Sequence, residues 1–285
     1  MSELYTRVSR VTKKELYQYI RDNNIPLLKY NFNWFFQYYV KKNKIKVISH
    51  HFSNSKIEGL TIIDEYGISF SFERDNPLVK QNFTLCHELG HFILRHSGSC
   101  FAESVDNQED VLEREANIFS AVVLMPDIVL LSKIYYSCDS FQKVKEDLKV
   151  SRQALYFRLI DLLRVYQVDT ESAIKQAVDE YLEGQNASLH NCFHQLKEMM
   201  IEEFNHYQPS LIARIKKRLK KTNFVTSQEL PELLDQKRWN EIREVKKFKV
   251  WLVYNKGKSL AYVWDSNKLS EAEARRKANL ELLVM

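Results

Sequence analysis

His87-Glu88-Leu89-Gly90-His91 sets two imidazoles four residues apart, with a carboxylate beside the first. On a helix that spacing stacks both rings on one face, one turn apart, where they can hold a divalent metal. It also leaves the carboxylate free to deprotonate a water the metal activates. The chemistry implied is metal-assisted hydrolysis of a peptide bond. Phe83, Leu85, Leu89, Phe92 and Ile93 recur at helical spacing, which predicts a helix over 84–96. Leu85, Leu89 and Phe92 can face a core while the histidines point elsewhere. Gly90 costs roughly 1 kcal/mol against alanine inside a helix, so a close approach by another backbone is expected there. The plain alternative is an amphipathic helix with two surface histidines.

Two histidines hold zinc weakly, and a catalytic site adds a third protein ligand while leaving one position open. A second helix is predicted over 109–125, closed by Pro126. Leu112, Phe119 and Val123 form its apolar stripe. Glu113, Ala116, Asn117 and Ser120 form a face that is small or polar, with a carboxylate at its start. That face could pack closely on the first helix and offer Glu113 to the metal, with Asn117 one turn on to orient a ligand. Glu115 is a rival, about 200° around the helix from Glu113. Glu109 and Asp110 are weaker rivals, because acidic residues are common in first turns without any metal.

The two segments together resemble the ImmA/IrrE family of metallopeptidases. That family pairs a His-Glu-x-Gly-His helix with a second helix of the form Glu-x-x-Ala-Asn-x-Phe-Ala-x-x-Leu-Leu-Met-Pro. Here the second helix carries Glu113, Ala116, Asn117, Phe119, Leu124, Met125 and Pro126, with Ser120 for the small alanine and Val123 for a leucine. The Phe83-Thr84-Leu85-Cys86 entry is also similar, and the resemblance covers about residues 10–165. It implies Zn2+ bound by His87, His91 and Glu113, Glu88 as catalytic base, and a zincin-like core. It further implies site-specific cleavage of a DNA-binding transcriptional repressor of the helix-turn-helix type, as in phages and mobile elements. By residue type alone, His96, Tyr135, Tyr136 and His206 are candidates for a second oxyanion donor. His96 lies about 140° around the helix from His91, so an exposed or core role is expected for it.

The elements around these helices predict an α+β fold. Thr12-Lys13-Lys14-Glu15 reads as a capping box opening a helix to about Asn23, and a second helix is expected near Asn33–Lys42. Strand signals follow at Ile45–His51, Gly59–Ile63 and Gly67–Phe72, with a turn at Asp64–Gly67. A small antiparallel sheet should therefore cover the two metal-bearing helices, and an edge strand could take substrate backbone by strand addition. Residues 141–165 resemble a helix-turn-helix, turning at Val150-Ser151. Tyr156 and Phe157 add apolar bulk to the would-be recognition helix, which favours packing on the core over DNA binding.

Three regions are expected: a peptidase domain over 1–166, a helix and linker over 167–190, and a basic α+β module over 191–285. Residues 190–285 hold 19 Lys and Arg against 12 Asp and Glu, a balance of +7, whereas the rest holds 23 against 25. The run Arg214-Ile215-Lys216-Lys217-Arg218-Leu219-Lys220-Lys221 accounts for much of that excess. A solvated helix face is its ordinary explanation, and nucleic acid or an acidic partner is the functional one. A β-hairpin turning at Asn255–Lys258 and a final helix capped by Ser270 and Glu273 complete the module. No apolar run approaches the roughly 20 residues of a membrane span. No signal peptide is evident, and Cys86, Cys100, Cys138 and Cys192 lack paired spacing, so a cytoplasmic protein with reduced thiols is expected. The competing functions are a non-catalytic zinc-containing DNA-binding or sensor protein and a toxin-like component of a two-gene system. His and Glu ligands also accept manganese, iron or cobalt.

Overall fold

The protein is α+β. A computed structural model describes residues 3–52, 57–96, 100–104 and 110–284, the strand 100–104 by its backbone alone. The chain divides into two compact units, Met1–Tyr207 and Gln208–Met285.

The first unit opens with α1 (Glu3–Asn23) and α2 (Phe32–Asn43). Thr12 does not start α1 as expected. It lies mid-helix, where its hydroxyl donates to the Val8 carbonyl at 2.8 Å. The helix begins earlier because Tyr5 and Val8 extend the buried stripe of Leu16, Tyr17 and Ile20. Four strands follow: β1 (Lys46–His50), β2 (Ile57–Asp64), β3 (Gly67–Glu73) and β4 (Cys100–Ser104), in the order β1-β3-β2-β4. The expected sheet was antiparallel throughout and lacked β4. In fact β1 runs parallel to β3, and only the pairs about β2 are antiparallel. The β2–β3 turn forms as expected: the Asp64 carboxylate accepts from the Tyr66 amide at 2.8 Å, and Gly67 takes φ +122°.

Two helices pack against each other beside this sheet, α3 (Leu78–Leu94) and α4 (Val111–Leu124). Asp110 caps α4 by accepting from the Leu112 amide at 2.8 Å. Pro126 ends α4 and starts α5 (Asp127–Leu130), which runs on through wider π-type turns to Tyr136. By length and composition Val111–Tyr136 is apolar enough to cross a membrane, against the expectation of no such stretch. Most of its apolar window is buried inside the unit.

Four further helices close the unit: α6 (Phe141–Leu148), α7 (Arg152–Val165), α8 (Glu171–Leu182) and α9 (Ala187–His206). In the segment resembling a helix-turn-helix, α7 buries Leu155, Leu159, Leu162 and Leu163 in the core. Its Arg158 is buried too, paired with Asp127 and bonded to the Tyr5 hydroxyl at 3.0 Å. The segment therefore packs on the core. The boundary expected at 190 is displaced to Tyr207, because α9 buries Leu189, Phe193, Leu196 and Met200 in the first core. Residues 184–186, expected in a linker, are a short turn between α8 and α9.

The second unit is a three-stranded sheet with helices on both faces. Its elements are α10 (Leu211–Thr222), β5 (Phe224–Thr226), α11 (Trp239–Arg243), β6 (Phe248–Asn255), β7 (Lys258–Asp265) and α12 (Glu271–Val284). The strand order is β5-β7-β6. Ile215 and Leu219 of α10 and Ile242 of α11 share a core with Val250 and Val263. Ala274, Ala278 and Leu282 of α12 share another with Leu260 and Tyr262. The hairpin turns on Lys256 and Gly257, both at positive φ (46° and 83°), as a two-residue turn between twisted strands requires. Ser270 and Glu273 cap each other at α12 as expected.

Candidate metal centre

Helices α3 and α4 can meet closely because their facing positions are small. A Cβ built on Gly90 would lie 3.1 Å from the Phe119 ring and 3.3 Å from Ala116 Cα, so α4 occupies the space a side chain would need. Ser120, also fully buried, donates to the Phe83 carbonyl at 3.3 Å and ties the helices again. This contact is what offsets the helix cost of glycine.

The crossing brings His87, His91 and Glu113 together, all buried, with their ligand atoms within 4.8 Å of one another. His87 Nε2 lies 3.0 Å from Glu113 Oε2 and 3.0 Å from His91 Nε2, and His91 Nε2 lies 3.5 Å from Glu113 Oε1. Four-coordinate zinc with bonds of about 2.0–2.1 Å spaces its ligand atoms roughly 3.4 Å apart, so the donor set fits such an ion in type and in spacing. Burial, reinforced by the neighbouring His87 and His96 imidazoles, holds the His91 pKa down to about 3. The ring is therefore neutral at ordinary pH, the form that ligates metal.

The groups behind these three are equally ordered. His87 Nδ1 lies 2.9 Å from Asn117 Oδ1, so its proton sits there and the Nε2 lone pair faces the cluster. Asn117, one turn beyond Glu113, thus orients a histidine. Glu88 is fully buried, and its Oε2 accepts from the Thr61 hydroxyl of β2 at 2.5 Å. Thr61 was not foreseen. Only the alternation of buried Gly59 and Thr61 along β2 pointed inward, and a strand-to-helix contact leaves no local pattern.

His96 takes a buried place, one of its two expected roles, but by an unforeseen route. Arg95 adopts the left-handed conformation (φ 58°), ends α3 and turns the chain back, so the His96 amide bonds to the His91 carbonyl at 3.1 Å. His96 Nδ1 then lies 2.8 Å from His91 Nδ1, behind the ligand rather than across from it. Continuing α3 by the two residues to His96 does not foresee this contact, and His96 drops from the candidates by residue type for the oxyanion. Glu115, the rival ligand, is instead 2.9 Å from His96 Nε2 and is paired with Arg7 of α1. Asp110 is the cap of α4, and Glu109 lies outside the described residues. Tyr135 is bonded to His194 at 2.8 Å, Tyr136 is exposed, and His206 packs on Tyr207, so none of these joins the cluster. Cys86 is buried, which pushes its thiol pKa well up and leaves it a packing group.

No curated protein matches the chain. Residues 40–160, which include both helices of the cluster and the sheet beside them, match the family model of the IrrE N-terminal-like domain, Peptidase_M78. That match, with the buried His-His-Glu group inside it, supports a metallopeptidase type for this part of the chain.

Proposed function

We propose that the protein is a zinc-dependent endopeptidase that cuts a DNA-binding transcriptional repressor at one site and so releases the repressed genes. The observation that carries the catalytic part is Glu88. It is a buried carboxylate directly after one candidate ligand, held by Thr61 beside the His87, His91 and Glu113 cluster. A site that only bound metal for stability would not need it. Zinc held by His87, His91 and Glu113 would supply Lewis-acid polarisation of the peptide carbonyl and acidify the attacking water. Glu88 takes the proton from that water and returns it to the leaving amine. Thr61 fixes the carboxylate by one oxygen during both transfers. Asn117 keeps His87 in the tautomer that presents Nε2. The repressor substrate is supported by the resemblance to ImmA/IrrE peptidases.

The test is incubation with the helix-turn-helix protein encoded nearest the gene, followed by mass spectrometry, for the wild type and Glu88→Gln. A discrete cut made by the wild type alone supports the reading. An intact repressor in both samples, with zinc shown to be bound, removes it.

A second reading rests on the second unit, where Gln208–Met285 hold 18 Lys and Arg against 9 Asp and Glu. Arg214 and Arg218 are paired with Glu232 and Glu229. Among the described residues, the exposed Lys216, Lys217, Lys220 and Lys221 of α10 form no ion pair. We infer that this face contacts the phosphates of duplex DNA and brings the first unit to a DNA-bound substrate. Replacing the four lysines with glutamine should lower the salt slope of DNA binding. Salt-insensitive or absent binding by the wild type would leave a solvated face. A non-catalytic zinc-containing DNA-binding protein would keep its cellular role in the Glu88→Gln variant, which separates it from the peptidase.

A further inference from the structure

Behind His91 runs a chain of side chains that ends outside the family domain. His91 Nδ1 lies 2.8 Å from His96 Nδ1, His96 Nε2 lies 2.9 Å from Glu115 Oε2, and Glu115 is paired with Arg7. His96 and Glu115 are almost fully buried, at 3% and 7% side-chain exposure. Arg7 belongs to α1, whereas the family match begins at residue 40.

We propose that His96 and Glu115 are positioning residues for the metal ligand His91, and that Arg7 anchors them from α1. The inference rests on the metallopeptidase reading of the cluster. The order of protons follows from the acceptor at the far end. An ionised carboxylate can only accept, so His96 carries its proton on Nε2. With that tautomer His96 presents a lone pair at Nδ1, so His91 donates from its own Nδ1. His91 Nε2 is left with its lone pair directed at His87 Nε2 and Glu113, where a metal would sit. Each link fixes the tautomer and the ring plane of the next. The carboxylate, acting through two imidazoles, also makes His91 a better electron donor. His87 reaches the same state through a single amide, Asn117. The two ligands are therefore supported by different devices, one neutral and short, the other anionic and two groups long.

The test is zinc affinity of the full chain, measured by competition with a chromophoric chelator, for the wild type, His96→Leu, His96→Asn and Glu115→Gln. Asparagine places Oδ1 where His96 Nδ1 stood and can accept from His91, whereas leucine fills similar space and cannot. His96→Leu should weaken zinc binding by about ten- to a hundred-fold. His96→Asn should recover most of that loss, and Glu115→Gln should fall between. Equal Tm values for the metal-free forms show that folding is not what changed. If His96→Leu unfolds, the ranking of His96→Asn and Glu115→Gln against the wild type decides. Wild-type affinity in His96→Leu, or in both other variants, overturns the positioning role while leaving the peptidase reading standing. A wild-type chain that binds no zinc overturns both. Cleavage activity enters neither outcome.

Discussion

Thr61 holds the buried Glu88 carboxylate beside the His87, His91 and Glu113 cluster, where the proposed reaction needs a proton acceptor. Removing the charge by Glu88→Gln should lower peptide cleavage by roughly a hundred-fold or more, with zinc content unchanged by metal analysis. Thr61→Val deletes a hydrogen bond to an ionised group, of the kind that contributes about 1.5–3 kcal/mol. A loss in kcat on the order of ten-fold should follow, with zinc affinity as in the wild type. A fall in zinc affinity would instead mean that Thr61 supports the cluster generally. The positions of His87, Glu88, His91, Glu113 and Asn117 were legible in the sequence because helical spacing converts directly into direction. Thr61 was not, since nothing local couples a strand residue to a helix 27 positions on. The contact of His96 with His91 was not legible either, because a left-handed residue at Arg95 cancels the helical rule one step before it applies.

At the level of elements, the geometry of the cluster is set by how closely α3 and α4 approach. Gly90→Ala adds a methyl against Phe119 and the α4 backbone, and a backbone cannot swing aside as a side-chain tip can. The helix gains roughly 1 kcal/mol in propensity, but overpacking costs about 1–3 kcal/mol. The net change should be a lower Tm, together with weaker zinc binding as Glu113 is pushed away from His87. A higher Tm with unchanged affinity would show that the helices re-seat freely. Most helices were readable from apolar period, and in the structure Ser140, Ser151 and Thr170 cap α6, α7 and α8. The first was mis-started because Thr12 and Glu15 mimic a cap inside a continuing stripe. Strand β4 and the parallel placement of β1 depend on which segments meet across the sheet, and that is not a property of either segment alone.

Across the first unit, a buried ionic group joins four helices. Asp127 lies 2.6 Å from Lys13 and is paired with Arg158, while Lys13 also reaches Glu203 at 2.8 Å. Burial by itself would raise the Asp127 pKa, but Lys13 and Arg158 outweigh it and leave a value of about 2. In an unfolded chain the same group titrates near about 3.9. The depressed folded value contributes stability that is complete above about pH 4 and is lost as pH falls toward 2, on the order of 2–3 kcal/mol. Denaturant titrations between pH 7 and pH 2.5 should show this loss, and Asp127→Asn should flatten it. The same variant should cost about 3–5 kcal/mol at pH 7, because Arg158 would remain buried without its carboxylate and Lys13 would keep only Glu203. A division into an acidic front and a basic rear was visible in the charge count. Its position was not, because α9 is amphipathic and could have served either core.

The region shared with relatives and the piece of chain that can stand alone are different objects here. Helix α1 lies outside the matched residues, yet it seals the core with Val8, Leu16 and Tyr17 and brings Lys13 to Asp127. A fragment cut to residues 40–160 would keep every proposed ligand and still be a poor enzyme to purify. Its exposed apolar surface, and an Asp127 that keeps Arg158 but loses Lys13, would favour aggregation before zinc could bind. For expression, crystallisation or transplantation into another protein, the smallest useful piece begins at the N-terminal helix and ends with α9.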